Sequence, residues 1–383
     1  MRVLVLHSRY LSGSVSGENR VVDDETTLLR SAGHEVELWT PAPDTIGTAH
    51  AGARTVWSTD ASRRVRAFMR AFRPDVVHVH NLFPMLSPSV LRVVPDDVGL
   101  LMTLHNYRYA CLPGTFLRDG KVCEDCLGRV PWRGVVHACF RDSKAASAAL
   151  ATAYTVHKGV RSFERIDRFL SVSGFMRTKH IDAGIPAGKI VVQPNFTHAV
   201  QRREGPGDVF LYVGRLALEK GLRFLVEAWS GTGAKLLVVG DGPDAELLRA
   251  AAPPGVTFRD RVPGDEIPAL LRSARALLVP SQWYEGSPRS IIEAYAAGVP
   301  VLASKIGSLP EVVNDGVTGR LLEPGDVSAW LGAIAELGSD ERSRELGEGA
   351  HAAWAASYRP DDGLARLEEN YAAALAHRAA SVR

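Results

Sequence analysis

Nowhere in the 383 residues do about 18 apolar residues run together without a charge, so no segment is expected to cross a bilayer as a helix. The chain opens Met1-Arg2-Val3-Leu4-Val5-Leu6-His7, an apolar run shorter than the roughly 7 to 15 residues a secretory core needs. No export signal is expected, and the expected setting is cytoplasmic. Cysteine is scarce, four residues in all, which argues against a disulfide scaffold and agrees with a reducing compartment. Neither sign of charge dominates, because 45 Lys and Arg face 43 Asp and Glu for a net +2. A general nucleic-acid binder carries a strong basic excess, so that class is excluded. Lysine supplies only eight of the 45 cations, so a lysine inside a motif is seldom there by chance. Internal repeats of about 20–50 residues are missing too, which removes solenoids.

What is present is a globular composition, 46% apolar and 23% charged, long enough for two domains. The near-zero charge hides a split: residues 1–200 hold 25 cations against 18 anions, and residues 201–383 hold 20 against 25. Short apolar runs alternate with helix-period segments, the pattern of parallel sheets covered by helices. One series of strands is expected at Val3 to Leu6, Glu35 to Trp39, Val76 to Val79, Leu100 to Leu104, Phe169 to Val172 and Ile190 to Val192. A second is expected at Phe210 to Val213, Lys235 to Val239, Val256 to Phe258, Ala276 to Val279 and Val301 to Ala303. Residues 197–208 are polar, contain Gly-Pro-Gly and lack periodicity, so they read as the linker. The expected units are 1–203, 204–360 and a terminal helical segment, 361–383, returning toward the first. Residues 106–142, rich in Gly, Pro, Cys and Trp, exceed the usual loop length and break the rhythm.

The strand Phe210 to Val213 runs into Gly214-Arg215-Leu216-Ala217-Leu218-Glu219-Lys220-Gly221 and then a helical stripe. Ligands of open α/β sheets sit beyond the carboxyl ends of strands, and two cations beside a helix start suit a diphosphate. Gly240-Asp241-Gly242-Pro243 follows the next strand, where glycines let a ligand approach the backbone. Further on, Glu285 lies in a Gly/Ser/Pro turn, and a helix is expected from about Pro288 to Ala297, stopped by Gly298. Gly286, Ser287 and Arg289 offer donors to an anion. Glu293, among Ile291, Ile292, Ala294 and Tyr295, is expected to be half-buried and partnered.

These residues resemble a retaining nucleotide-sugar glycosyltransferase of glycosyltransferase family 4. The matches are Gly214-Arg215 with Lys220-Gly221, Gly240 to Pro243, the Glu-x7-Glu pair Glu285 and Glu293, Ala296 to Val301, Gly307 with Pro310 to Val313, and Gly316 to Gly319. Gly33 to Val36, Thr103 to His105 and Pro194-Asn195 extend the likeness to the first half. The resemblance implies the GT-B fold, α/β with two Rossmann-like domains facing a central cleft. The first domain would serve the acceptor and the second the nucleoside-diphosphate sugar. It implies that Arg215 and Lys220 bind the diphosphate, Glu293 the ribose, and Glu285 with Gly286, Ser287, Pro288 and Arg289 the sugar and distal phosphate. Gly214, Gly240, Asp241, Gly242, Val262 and Asn195 would line the donor, with His105 against the transferred sugar. The loop Ser14 to Asn19, with Gly17, Glu18 and Asn19, would lie near the diphosphate, although this chain lacks the family's Gly-Gly pair there. The implied reaction needs no metal, and its partners are the donor sugar and a hydroxyl acceptor. A nucleotide-sugar epimerase and a non-catalytic nucleotide-sugar binder are the alternatives. A dinucleotide-dependent oxidoreductase is disfavoured, since no G-x-G-x-x-G follows the first strand.

Three further signals lie in the first half. His78 and His80 share a strand face and read as satisfied histidines or as metal ligands. Cys111, Cys123, Cys126 and Cys139 give C-x11-C-x2-C-x12-C inside the irregular insert, consistent with a structural zinc, free thiols or disulfides. Around Ala61 to Phe72, Arg63, Arg66, Arg70 and Arg73 oppose Val65, Phe68, Met69 and Phe72. That helix either packs its apolar side on the core or makes a peripheral contact with the inner face of a membrane.

Overall fold

The computed structural model describes residues 1–9, 17–41 and 48–381. The chain divides into two compact units, one of Met1–Phe116, Glu124–Pro194 and Gly363–Arg383, the other of Leu117–Cys123 and Asn195–Asp362.

The strands are β1 (Arg2–His7), β2 (Glu35–Trp39), β3 (Val76–Asn81), β4 (Gly99–Leu104), β5 (Leu117–Arg118), β6 (Lys121–Val122), β7 (Arg168–Ser171) and β8 (Ile190–Val192), followed by β9 (Val209–Val213), β10 (Lys235–Val239), β11 (Val256–Arg259), β12 (Ala274–Val279), β13 (Val301–Ser304) and β14 (Gly319–Leu322). The first unit holds a six-stranded parallel sheet in the order β2-β1-β3-β4-β7-β8. Its inner strands are covered on both faces, which is why they read as continuous apolar runs rather than alternating ones. The second unit holds another parallel sheet, β11-β10-β9-β12-β13-β14. In each sheet the chain builds outward on one side and then crosses back to build on the other. That reversal leaves a crevice at the carboxyl ends of β1 and β3 in the first sheet, and of β9 and β12 in the second.

Three features differ from the sequence expectation. The boundary falls after Pro194, because residues 197–208 are fastened to the second unit: the Arg203 guanidinium donates to the carbonyls of Pro206, Ala274 and Arg275 at 2.8, 3.1 and 3.1 Å, and Trp354 Nε1 to that of Thr197 at 3.2 Å. β14 was not expected, since Gly319-Arg320-Leu321-Leu322 is too short to show a period. The insert contains the β5–β6 hairpin and a short helix, Trp132–Val136, and its Tyr107 and Phe116 side chains are buried.

The last helix, Pro360–Ser381, lies from Gly363 onward in the first unit. Leu367, Tyr371 and Ala374 join Val3, Val5, Val76 and Leu101 in its core. Pro360 sits at the helix start, where its missing N–H costs nothing.

Candidate functional site

In the second unit the loops that follow β9 and β12 interlock at the switch point, with the Gln282 N–H donating to the Glu219 carbonyl at 2.9 Å. This brings Lys220 and Glu285, 65 positions apart, to 2.7 Å between Nζ and Oε1. The same carboxylate oxygen accepts from Ser281 Oγ at 2.6 Å and Trp283 Nε1 at 2.9 Å, and the ammonium lies 4.9 Å from the centre of the Trp283 ring. Burial alone would raise the Glu285 pKa; the Lys220 charge and the three donors outweigh it and hold the carboxyl below its ordinary value. Glu285 is therefore an anion that fixes the Lys220 head. Arg215 is exposed and pairs with Glu219, one turn along. With the guanidinium largely in solvent the pair is weak, so it is open to exchange with an incoming anion.

Glycines assemble the neighbouring loops. A Cβ on Gly240 would lie 1.9 Å from the Gly214 carbonyl oxygen, and one on Gly242 2.2 Å from that of Leu216. The Gly240-Asp241-Gly242 turn is pressed against the Gly214–Leu216 backbone, with the Leu216 N–H donating to the Asp241 carbonyl at 2.9 Å. These glycines thus serve an approach of loop to loop, a use the sequence reading did not foresee. Asp241 folds back on the Gly242 amide at 2.7 Å. Val262 lies in the segment after β11, at the same carboxyl edge, and packs on the core.

Gly286, Ser287 and Pro288 lead into the helix Arg289–Ala296, whose first-turn amides have no partner inside the helix. Asn195 Nδ2 donates to the Ser287 carbonyl at 3.2 Å, which holds that turn. Glu293 is half-buried and lies 3.5 Å from Arg289, four residues before it.

The first unit gathers its polar groups at the carboxyl ends of β1, β3 and β4. His105 follows β4, and its Nε2 is 2.9 Å from His80 Nδ1. His80 Nε2 is 3.4 Å from a Glu25 carboxylate oxygen. His78 is bonded at both nitrogens, to Thr103 Oγ1 at 2.7 Å and Tyr371 Oη at 2.9 Å. Burial pushes His78 and His105 down to about 3 and His80 well below its ordinary value, so these rings are neutral. His7 Nε2 contacts Asn19 Oδ1 at 2.7 Å. The Asn19 side chain is thereby engaged by the protein, and the main-chain amides of Gly17, Glu18 and Asn19, which open the helix Gly17–Ser31, are what that segment offers an anion. Ser14, Val15 and Ser16 of the expected diphosphate loop lie outside the described residues.

Among the described residues, Glu25, His78 and His80 are the trio whose donor atoms lie within 4.8 Å of one another. Both nitrogens of His78 are already hydrogen-bonded, so the trio reads as part of a polar network. None of the four cysteines is joined in a disulfide. Cys111, Cys126 and Cys139 belong to the first unit, while Cys123 falls in the second. Burial raises the Cys111 thiol to about 11, and its sulfur is turned toward the backbone amides of Gly114, Thr115 and Phe116.

Sequence reasoning missed Ser281 and Trp283 on Glu285, and Glu25 and His7 in the histidine cluster. The one available signal was His80 near the end of a strand, two positions after His78; that the neighbouring strand leads into His105 depends on strand order.

Residues 207–340 match the family described as Glycosyl transferases group 1, and residues 15–199 match Glycosyltransferase Family 4. The chain is 30% identical to the 2-deoxystreptamine N-acetyl-D-glucosaminyltransferase of Streptomyces fradiae over 333 residues, covering 78% of this chain and 71% of that one. It is 34% identical over 144 residues to a GDP-mannose-dependent alpha-mannosyltransferase of Corynebacterium glutamicum, covering 37% of this chain and about a third, 34%, of that relative's length. Among solved structures, the sucrose-phosphate synthase of Thermosynechococcus elongatus shares the fold, with a TM-score of 0.73 at 19% identity, over 98% of this chain and 99% of that one.

Proposed function

The chain belongs to glycosyltransferase family 4, and from that we propose that it moves a sugar from a nucleoside-diphosphate sugar to a hydroxyl acceptor with retention of anomeric configuration. The observation that carries the reading is the Lys220–Glu285 pair, 2.7 Å apart, beside exposed Arg215 at the β9/β12 switch point. Sugar transfer requires a stabilised diphosphate leaving group, and cations fixed in advance reduce its developing charge without reorganising. In this reading Arg215 exchanges Glu219 for a phosphate, while Lys220, aimed by Glu285, faces the same diphosphate. The amides of Gly286 and Ser287 and the first turn of the following helix take the distal phosphate, and Glu293 takes the ribose. Two side-chain cations do the work of charge neutralisation, so the reaction is metal-independent. His105 meets the transferred sugar. As the bond to the departing phosphate breaks and the acceptor oxygen bonds on the same face, that phosphate takes the acceptor proton, and no protein nucleophile is required. The acceptor is a hydroxyl of a polysaccharide, glycolipid or natural product.

Screening the purified protein against nucleotide sugars by thermal shift identifies the donor, because a ligand that binds only the folded state raises the melting temperature. With donor and acceptor in hand, Arg215→Ala and Glu293→Gln are each expected to lower kcat/KM by on the order of a hundredfold or more. Wild-type turnover in both would overturn the site. Product formed from donor alone would indicate an epimerase, and binding without turnover a non-catalytic protein.

A further inference from the structure

We propose that a cavity between the insert and the helix Lys144–Gly159 is a binding site for a small aryl anion, a phosphate or carboxylate carried on an aromatic ring. All of its lining residues belong to the first unit, and the site is independent of the sugar-transfer reading above.

The cavity exists because the insert departs from the α/β rhythm. Tyr154, Thr155 and Lys158 lie at helical spacings of three and four and so share one side of the helix Lys144–Gly159. The insert supplies the rest of the lining in two passes, residues 108–112 and 128–131. Gly128 has a left-handed φ of +68°, and a Cβ there would stand 3.0 Å from the Asp182 carbonyl oxygen, so glycine lets the second pass turn close to a neighbouring backbone. Leu112 fixes the first pass. It is buried, and a Cβ on Gly134 of the short helix Trp132–Val136 would fall 2.8 Å from its Cδ1. The space between is about 360 Å³, within the roughly 300–1,000 Å³ of small-molecule sites.

The lining is cationic and aromatic. Arg108, Arg129 and Lys158 contribute to it, and among the described residues no carboxylate does. Glu124 and Asp125 of the insert pair instead with Lys179 at 2.6 Å and Arg133 at 3.5 Å, and Glu164, the carboxylate that acts on Tyr109, with Arg161 at 2.7 Å. Among the described residues neither Arg129 nor Lys158 has a carboxylate partner; Lys158 Nζ lies 4.8 Å from the centre of the Tyr109 ring and 3.5 Å from the Ala183 carbonyl oxygen. The aromatic wall is preformed. Tyr109 meets Phe163 and Tyr154 edge-on, with centroids 5.2 and 6.2 Å apart, and Tyr154 stacks on Phe163 at 5.9 Å. Burial and the Glu164 charge push the Tyr109 hydroxyl up to about 12, so it stays neutral and cancels none of the positive charge.

Like charges gathered around one concave space repel, and they raise the local concentration of anions. A guanidinium grips phosphate or carboxylate through paired N–H donors, while an ammonium adds a point charge. The ring of the ligand lies against the tyrosines and Leu112, where its apolar area leaves water. A neutral ring uses only the second feature and a bare inorganic anion only the first, so the ligand that uses both is an aryl phosphate or carboxylate. Arg108 Nη1 is also 3.4 Å from Asn81 Oδ1 at the end of β3, which ties the cavity to the carboxyl edge of the first sheet. The anion is therefore either the charged end of an acceptor or a separate effector.

Isothermal titration calorimetry of the full-length protein with phenyl phosphate, near neutral pH and without any nucleotide sugar, tests the site. Binding should show a Kd of about 1 mM or below, with phenol and inorganic phosphate each at least about tenfold weaker. Lys158→Met and Arg129→Met, both at exposed positions, should each weaken phenyl phosphate on the order of tenfold. Lys144→Met, on the same helix but outside the cavity, and Arg215→Ala, in the second unit, should leave the affinity unchanged. No binding at about 10 mM phenyl phosphate overturns the proposal. So does affinity lost in Arg215→Ala and kept in Lys158→Met, which would put the anion in the second unit. Because no donor is present, failure to turn over any nucleotide sugar would remove the glycosyltransferase reading and leave this one standing. Once an acceptor is known, turnover separates the two sources of the anion, and either result upholds the site. A raised acceptor KM at unchanged kcat in the presence of phenyl phosphate marks the charged end of the acceptor, and a changed kcat at saturating acceptor marks an effector.

Discussion

Two cations with the same expected role are in different physical states. Lys220 is bound to a buried carboxylate, over an indole ring, with its neighbours satisfied. Arg215 has more than half its side chain in solvent and pairs with a half-buried Glu219. The stability consequences should separate accordingly. Lys220→Ala strands Glu285 as an unpaired buried charge, at a cost of about 3–5 kcal/mol. Arg215→Ala removes a surface pair worth about 0–1 kcal/mol. Denaturant titration should therefore show a large shift for the first variant and almost none for the second, although both impair turnover. Equal destabilisation would mean that the Lys220–Glu285 contact does not form in solution. From sequence, the two cations were identifiable as a pair; their difference depends on Ser281 and Trp283, whose contacts come from a loop 60 residues downstream and leave no local pattern.

At the scale of elements, the helix Thr59–Ala71 resolves an open question. Ser58 caps it, with its side chain accepting from the Ala61 amide. Ala61, Ser62 and Val65 are buried, Phe68 packs at a tilt against Trp39 with centroids 5.7 Å apart, and the Arg2 guanidinium lies 4.8 Å from the centre of the Phe72 ring. The apolar stripe is occupied by the protein, so this helix cannot insert it into lipid. Arg63, Arg64, Arg66, Arg70 and Arg73 remain exposed. Any contact with the inner face of a membrane through this element is thus electrostatic. Binding to vesicles containing anionic lipid should be detectable at about 0.01 M salt and abolished near 0.15 M, where the screening length falls from about 30 to about 8 Å. Binding that persists at high salt would require an apolar contact elsewhere. The 3.6-residue spacing of Val65, Phe68, Met69 and Phe72 made the two faces legible, but a period alone does not say what covers the apolar one. Parallel strands were the most legible elements, because burial on both faces gives unbroken runs such as Val76 to Val79 and Leu236 to Val239. Short β14 and the β5–β6 hairpin, held by turns and partners distant in sequence, were not.

Across the whole molecule, the chain leaves its first unit at Pro194 and re-enters it at Gly363, so Leu367, Tyr371 and Ala374 complete a core begun by Val3 and Val5. The re-entry is held by a buried charge cluster. Asp167 accepts from Arg378 Nε at 2.8 Å, from the Leu100 amide at 2.8 Å, and contacts His377 Nδ1 at 2.9 Å. Its side chain is 2% exposed and that of Arg378 10%. Removing one partner from a buried pair is far more costly than replacing both with apolar groups. Arg378→Met should therefore destabilise the first unit by roughly 3–5 kcal/mol. Part of that loss should appear locally, as faster amide hydrogen exchange along Pro360–Ser381 and in β1 and β3, whose apolar residues pack with Leu367, Tyr371 and Ala374. Adding Asp167→Asn to Arg378→Met removes the stranded charge and should recover much of the difference, because the two substitutions share one interaction and cannot be additive. Unchanged exchange along Pro360–Ser381 in Arg378→Met would show that the helix is held by its apolar face alone and that the charge cluster is incidental to the closure of the first unit.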